Sequence, residues 1–186
     1  MRSLMLVVAM AVSLSGCAAK AGGLFGTLYH VDSWHDEFES RTTYRMRNNV
    51  VPGDFGSARI SIDAGRIDSP ELGAVFTVFA TYQSSEWIFI NSGESLSLLL
   101  DGELLRLTAP TNPRRDVLDG GRVREIATYL VSADILRQIA TATEVKMKLS
   151  GSRYYVERTL TPENIQRLRG FIAEYVDKDP TAAPQT

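Results

Sequence analysis

The sequence predicts an α+β protein: a mostly antiparallel, curved β-sheet or β-sandwich of about eight or nine strands with two packed helices. Apolar and polar residues alternate with period two through most of the stretch from Ser40 to Arg158. Only two segments show helical spacing, each behind a hydroxyl residue suited to capping. Strands and helices never alternate repeatedly, as a doubly wound parallel sheet would require.

The chain opens with Met1-Arg2 and an apolar run, Leu4 to Leu14, of about eleven residues. A helix that crosses a bilayer core needs roughly 20 residues, so this run suits a signal-peptide core. Leu14-Ser15-Gly16-Cys17 follows, and Cys17 is the single cysteine of the chain. These residues resemble the lipobox of bacterial lipoproteins. The resemblance implies a signal peptide over 1–16, removal of that peptide, and acylation of Cys17 with palmitate-type chains. It further implies a membrane anchor in the cell envelope. Ala18 is not the Asp that retains such proteins in the inner membrane of enteric-type bacteria, so the outer membrane, facing the periplasm, is the expected location. With Cys17 acylated, no thiol remains for a disulfide or for catalysis.

Residues 17–39 are expected to be a tether and lead-in segment, 40–177 one β-rich globular domain, and 178–186 a flexible tail. Both histidines lie in the lead-in, in Tyr29-His30-Val31-Asp32-Ser33-Trp34-His35-Asp36. His30, His35 and Asp36 are the weak candidates for metal ligation. Their spacing puts the two imidazoles on opposite faces of a strand and on no common helix face. The favoured reading has Trp34 and Phe38 packing onto the domain, with no metal and no cofactor.

Thr42 to Arg47 alternates and reads as a strand, closed by Asn48-Asn49 and Val51-Pro52-Gly53-Asp54. Ala58 to Asp63 is the next, with Asp63-Ala64-Gly65 as its expected end. Val75 to Tyr82 is rich in β-branched and aromatic residues, and Ser84-Ser85 should turn it into Trp87-Ile88-Phe89-Ile90 as a hairpin. Leu96 to Leu100 and Leu104 to Leu107 flank Asp101-Gly102, the strongest hairpin signal in the chain, since a type I′ turn needs two positive φ angles. Arg124 to Val131 is a further strand. Ser132 caps a helix with Ile135, Leu136, Ile139 and Ala140 on its apolar stripe. Val145 to Leu149 and Arg153 to Arg158 complete the strands, with one of Tyr154 and Tyr155 expected in the core. Thr161-Pro162-Glu163 starts the last helix, which turns Leu168 and Phe171 inward and Arg167 to water.

The long polar connection from Thr108 to Arg122 carries adjacent Arg114 and Arg115. Loops of that length often carry binding functions, and guanidinium groups pair in bidentate fashion with carboxylate or phosphate. Arg114 and Arg115 are therefore the expected partner-binding residues. The strand faces near Arg45, Arg47 and Arg59 are the next place to look.

Lys and Arg total 20 against 22 Asp and Glu, a mildly acidic balance that argues against a nucleic-acid partner. No Gly-x-Ser-x-Gly or phosphate-loop pattern occurs. Hydrolysis would require carboxylates such as Asp63, Glu86 or Glu103 to meet in space. The sequence thus favours a non-enzymatic, lipid-anchored binding or scaffold module that docks an envelope protein. A small-ligand, lipid or peptidoglycan binder is the alternative, and an envelope hydrolase comes third.

Overall fold

The computed structural model describes residues 30–54 and 56–178. The expected signal peptide, Cys17, the expected tether up to residue 29 and the expected tail from residue 179 lie outside the described residues.

The described chain is α+β and antiparallel throughout its two sheets. The larger sheet contains β1 (His30–Asp36), β2 (Arg41–Arg47), β3 (Val50–Val51), β4 (Arg59–Ser69), β5 (Gly73–Ser84), β8 (Arg114–Val117) and β9 (Val123–Val131). Its order is β1-β2-β4-β5-β9-β8, with β3 also paired to β4. The smaller sheet runs β11-β10-β6-β7, from β6 (Gly93–Leu100), β7 (Glu103–Ala109), β10 (Val145–Ser150) and β11 (Tyr155–Thr159). Helices α1 (Ala133–Thr141) and α2 (Pro162–Tyr175) complete the fold. None of the described helices is long and apolar enough to cross a membrane.

One core lies between these layers. The inner face of the larger sheet gives Met46, Ile60, Ile62, Val78, Ala80, Ala127 and Tyr129. Leu96, Leu98, Met147 and Leu149 of the smaller sheet meet them, together with Leu136, Ile139, Leu168, Phe171 and Ile172 of the helices. The Asp101-Gly102 turn takes positive φ at both residues, 49° and 93°, as its sequence requires. Asp101 also accepts from the amides of Thr143 and Glu144, which ties the hairpin to the end of α1.

Both helices begin as their sequences dictate. Ser132 accepts from the amide of Ile135, and Thr161 with Asn164 forms a reciprocal capping box. Neither helix has a basic residue in its last turn. Arginines from other elements supply that charge instead: Arg169 of α2 donates to the Ala140 carbonyl of α1, and Arg66 of β4 donates to the Tyr175 carbonyl of α2 at 3.0 Å. Exposed carbonyls at a helix C-terminus favour such cations.

Several expectations are corrected. The lead-in from His30 belongs to the sheet, since all seven residues of β1 register against β2. Trp34 is 45% exposed and Phe38 fully exposed, so Phe38 does not pack onto the domain and Trp34 does so only in part. β4 does not end at Gly65 but runs on to Ser69, because Gly65 sits where a side chain would strike Thr77 and Phe79 and so serves close strand approach. Trp87 to Ile90 forms no hairpin with β5; only Ile90 makes an isolated bridge, to Gly151. Tyr154 and Tyr155 are both exposed, at 41% and 56%. The long connection after β7 folds into β8 and a short 3-10 turn, Asp119–Gly121.

Leu168 is 3% exposed, and Leu168→Ala should destabilise the protein by about 2–5 kcal/mol in denaturant melts. Arg167 is no neutral control, since its side chain is only 15% exposed and pairs with Glu163. Exposed Gln166 is the better one, and Gln166→Ala should stay within about 0.5 kcal/mol.

Candidate functional site

Period two sends alternate residues of each strand to opposite faces, so the register of the larger sheet identifies what shares its outer face. Arg45 pairs with Gly65, and Gly65 with Thr77. Ser61 pairs with Thr81, Thr81 with Ile126, and Ile126 with Arg114. Arg59 pairs with Gln83, Gln83 with Arg124, and Arg124 with Asp116. Although neither the described helices nor the smaller sheet covers this face, Thr77 is 1%, Asp63 3% and Ser61 8% exposed. The sheet therefore curls towards it, and the face is concave.

Curvature is built at Gly65. Without a side chain there, Arg45 reaches from β2 across β4 to lay its guanidinium 3.8 Å from the centre of the Phe79 ring on β5. Beside this lies a cleft of about 110 Å³. Ser61, Asp63 and Thr81 belong to its central strands, Arg45 and Arg47 to one end, Arg59 and Arg124 to the other. Arg114, on the same face, is near enough to act on the charge of Arg45.

The counter-ions are unevenly shared. Arg47 pairs with Asp32 at 2.7 Å, and Asp116 holds Arg124 at 2.8 Å and Arg114 at 3.1 Å. No carboxylate lies within ion-pairing distance of Arg45 or Arg59 among the described residues, and the buried Nε of Arg45 has no hydrogen-bond partner. Burial, then the neighbouring Arg47, pushes the Arg45 guanidinium down to about 10. Asp63 accepts from the amide of Asn49 at 2.9 Å and from the Ser61 hydroxyl at 2.8 Å. Burial nevertheless drives its carboxyl above the usual aspartate range, against the opposing pull of those bonds and of Arg45 and Arg47.

Strand alternation separates the two arginines that the sequence singles out. Arg114 is 70% exposed and shares the concave face. Arg115 turns the other way, to Glu125 at 3.3 Å and the Ile90 carbonyl at 3.1 Å. Glu125 is wholly buried and accepts from three successive amides, Ile88 and Phe89 at 2.9 Å and Ile90 at 2.7 Å. Arg115, its side chain still 37% exposed, is thus the counter-ion of a buried carboxylate, and reversing both arginines would not leave stability unchanged. The sequence signal for Glu125 is its place among inward-facing Val123, Ala127 and Tyr129.

His30 pairs with Asp32 at 2.8 Å, while His35 bonds Thr42 from the opposite face of β1. No group of three or more metal-ligating side chains converges among the described residues. Asp63 lies in the concave cleft, Glu86 in the connection after β5 and Glu103 in the smaller sheet, so these three carboxylates are not brought together. Comparison with protein-family models, with curated proteins and with solved structures finds no match to this chain.

Removing the charge of Glu125 while leaving its donors buried should cost about 3–5 kcal/mol for Glu125→Ala, and Arg115→Glu should be similarly damaging. Arg114→Glu should stay within about 1 kcal/mol. Urea melts of the three variants check this contrast. Asp63 gives a separate pH signature. Its folded-state carboxyl binds a proton more readily than an unfolded one, so its stabilising contribution is complete below about 3.8 and is lost as pH rises through the raised folded value. Asp63→Asn should remove that slope and raise stability at neutral pH.

Proposed function

We propose that the protein is a lipid-anchored binding module of a bacterial envelope that docks an acidic protein partner on the concave face of its larger sheet. The observation that carries this reading is Arg45, a half-buried guanidinium on an aromatic platform in a cleft, with no carboxylate in ion-pairing distance among the described residues and a buried Nε without a hydrogen-bond partner. Leaving such a charge unpaired opposes folding, and an incoming carboxylate would relieve it. Arg59 and Arg114 extend the same chemistry along the rim, and Arg rather than Lys suits bidentate, stacked recognition.

An anchor at Cys17, as the lipobox resemblance implies, would fit this reading geometrically. Described structure begins at His30, on a strand whose Asp32 pairs with Arg47 of the cleft. The chain from Cys17 to His30, fully extended, reaches at most about 45 Å. A Cys17 acylated with palmitate would hold the cleft near its membrane, the outer one on this reading, and raise its effective concentration against membrane partners. Cys17→Ala should abolish palmitate labelling.

A second hollow favours the small-ligand alternative. It opens on the outer face of the smaller sheet, holds about 650 Å³, and is lined by Pro52, Leu99, Leu104, Lys146, Lys148 and Glu157 among others. That volume is within the range of small-molecule sites. Its lysines are already engaged, Lys146 with Glu144 and Lys148 with Glu157, so it offers less unspent charge than the concave face.

A photo-crosslinking residue at Thr128, on the concave face, and another at Arg106, on the smaller sheet, discriminate the two readings in cells. The docking reading expects an envelope-protein adduct from position 128, lost on combining Arg59→Glu with Arg114→Glu. An adduct from position 106 alone, or one that survives the double reversal, would overturn it.

A further inference from the structure

The concave cleft has a chemistry more specific than a basic patch, and the following inference rests on reading that face as the docking surface. Two guanidiniums with no carboxylate in ion-pairing distance among the described residues, Arg45 and Arg59, belong to opposite ends of one cleft. Between them are short polar side chains, Ser61 and Thr81, with Asp63. The volume of about 110 Å³ admits one small charged group rather than a helix or a base. The buried Nε of Arg45, which lines this cleft, has no hydrogen-bond partner among the described residues. Positive charge, an unspent buried donor and small size together describe a receptacle for an oxyanion.

We propose that this cleft is an oxyanion site that takes a single carboxylate or phosphate group between Arg45 and Arg59, with Asp63 setting how tightly the anion is held. An ionised Asp63 repels the incoming charge, and a protonated one does not. The other charged groups of the face are Arg47 and its partner Asp32, which also holds His30, together with Arg114, Arg124 and Asp116. Those pairs are largely neutralised within the protein, leaving Asp63, among the described residues, as the carboxylate without an ion pair in the cleft that Arg45 and Arg59 line. By linkage, the bound anion and the Asp63 proton favour one another. Asn at this position can keep both local bonds, its carbonyl accepting from the Asn49 amide and its amide group donating to Ser61.

The test uses the full chain in phosphatidylcholine nanodiscs, followed by the NMR signals of the arginine Nε–H groups. Probes are sulfate, whose charge stays constant over the range used, inorganic phosphate, N-acetylglycinate, and nanodiscs doped with phosphatidylglycerol. His30→Gln in every sample removes the imidazole on this face from the comparison. Saturable shifts of Arg45 and Arg59 that tighten as pH falls are expected, with Arg45→Gln or Arg59→Gln each weakening binding about tenfold. Asp63→Asn should bind more tightly at neutral pH and lose the pH dependence, while Arg106→Gln should change nothing. Response to the soluble anions assigns the group to a free ligand or partner side chain, and response only to phosphatidylglycerol assigns it to a lipid headgroup. No saturable shift with any probe, or an unchanged pH profile in Asp63→Asn, would overturn the proposal. A crosslinked partner at Thr128 that persists in either case would leave the docking reading standing without the oxyanion site.

Discussion

The carboxylate of Glu125 is the interaction on which the two-sheet arrangement depends. Fully buried on the inner face of β9, it gathers the amides of Ile88, Phe89 and Ile90 and the guanidinium of Arg115. The other side of that same segment belongs to the smaller sheet's end. The Ile88 and Phe89 carbonyls accept from the amides of Arg153 and Ser152, and Asn91 donates to Ser150. One ionised side chain therefore fixes a strap whose far edge is the 150–153 turn. The strap is tight enough that Gly151 admits no β-carbon against the Ile88 carbonyl. Phe89 takes a positive φ of 54°, a conformation disfavoured for an aromatic residue. Three charge-assisted hydrogen bonds and the stacking of Arg115 and Arg153 on its ring offset that strain.

A second polar cluster does for α2 what Glu125 does for the strap. Asn49 and Asn164 bond each other side chain to side chain at 2.8 Å, and each also bonds a backbone carbonyl of the other's neighbourhood: Asn49 that of Asn164, and Asn164 that of Val50. Asn164 closes the capping box of α2 at the same time. The amide of Asn49 donates to Asp63, which faces the opposite side of the sheet. Helix docking on the inner face and the charge of the concave face are thus joined through one residue. Buried polar groups of this kind are costly unless fully satisfied, and satisfied they specify one arrangement.

What the sequence makes legible follows from which forces are local. Asp101-Gly102, Ser132 and Thr161 act on their own backbone within a few residues, and each does what its residue type demands. The alternation of Val145 to Leu149 is equally local, since one face is wet and the other dry. Trp87 to Ile90 misleads because its apolar side chains look like a strand's while its amides answer to a carboxylate 35 to 37 residues away. Gly65 reads as a strand end when its meaning is the nearness of Thr77 and Phe79 on the next strand. The candidate site is hidden for the same reason. Arg45, Arg59, Arg114 and Arg124 come from four strands, and only the register shows that they share a face.

Arg114 and Arg115 show how little separates scaffold from site. They are adjacent, chemically identical and on the same short strand, yet the two-residue period of the strand assigns them opposite work. Arg115 offsets the buried charge that holds the strap, so its side chain cannot be spared for a partner. Arg114 faces a surface where carboxylates are too few for the guanidiniums present. A shift of one residue in the pairing of β8 with β9 would exchange them, turning Arg115 away from Glu125 and leaving Glu125 facing Arg114 or nothing. The register of that edge strand is therefore constrained from both sides. The cost of an unpaired interior carboxylate fixes it from within, and the same pairing decides which cation reaches the concave face.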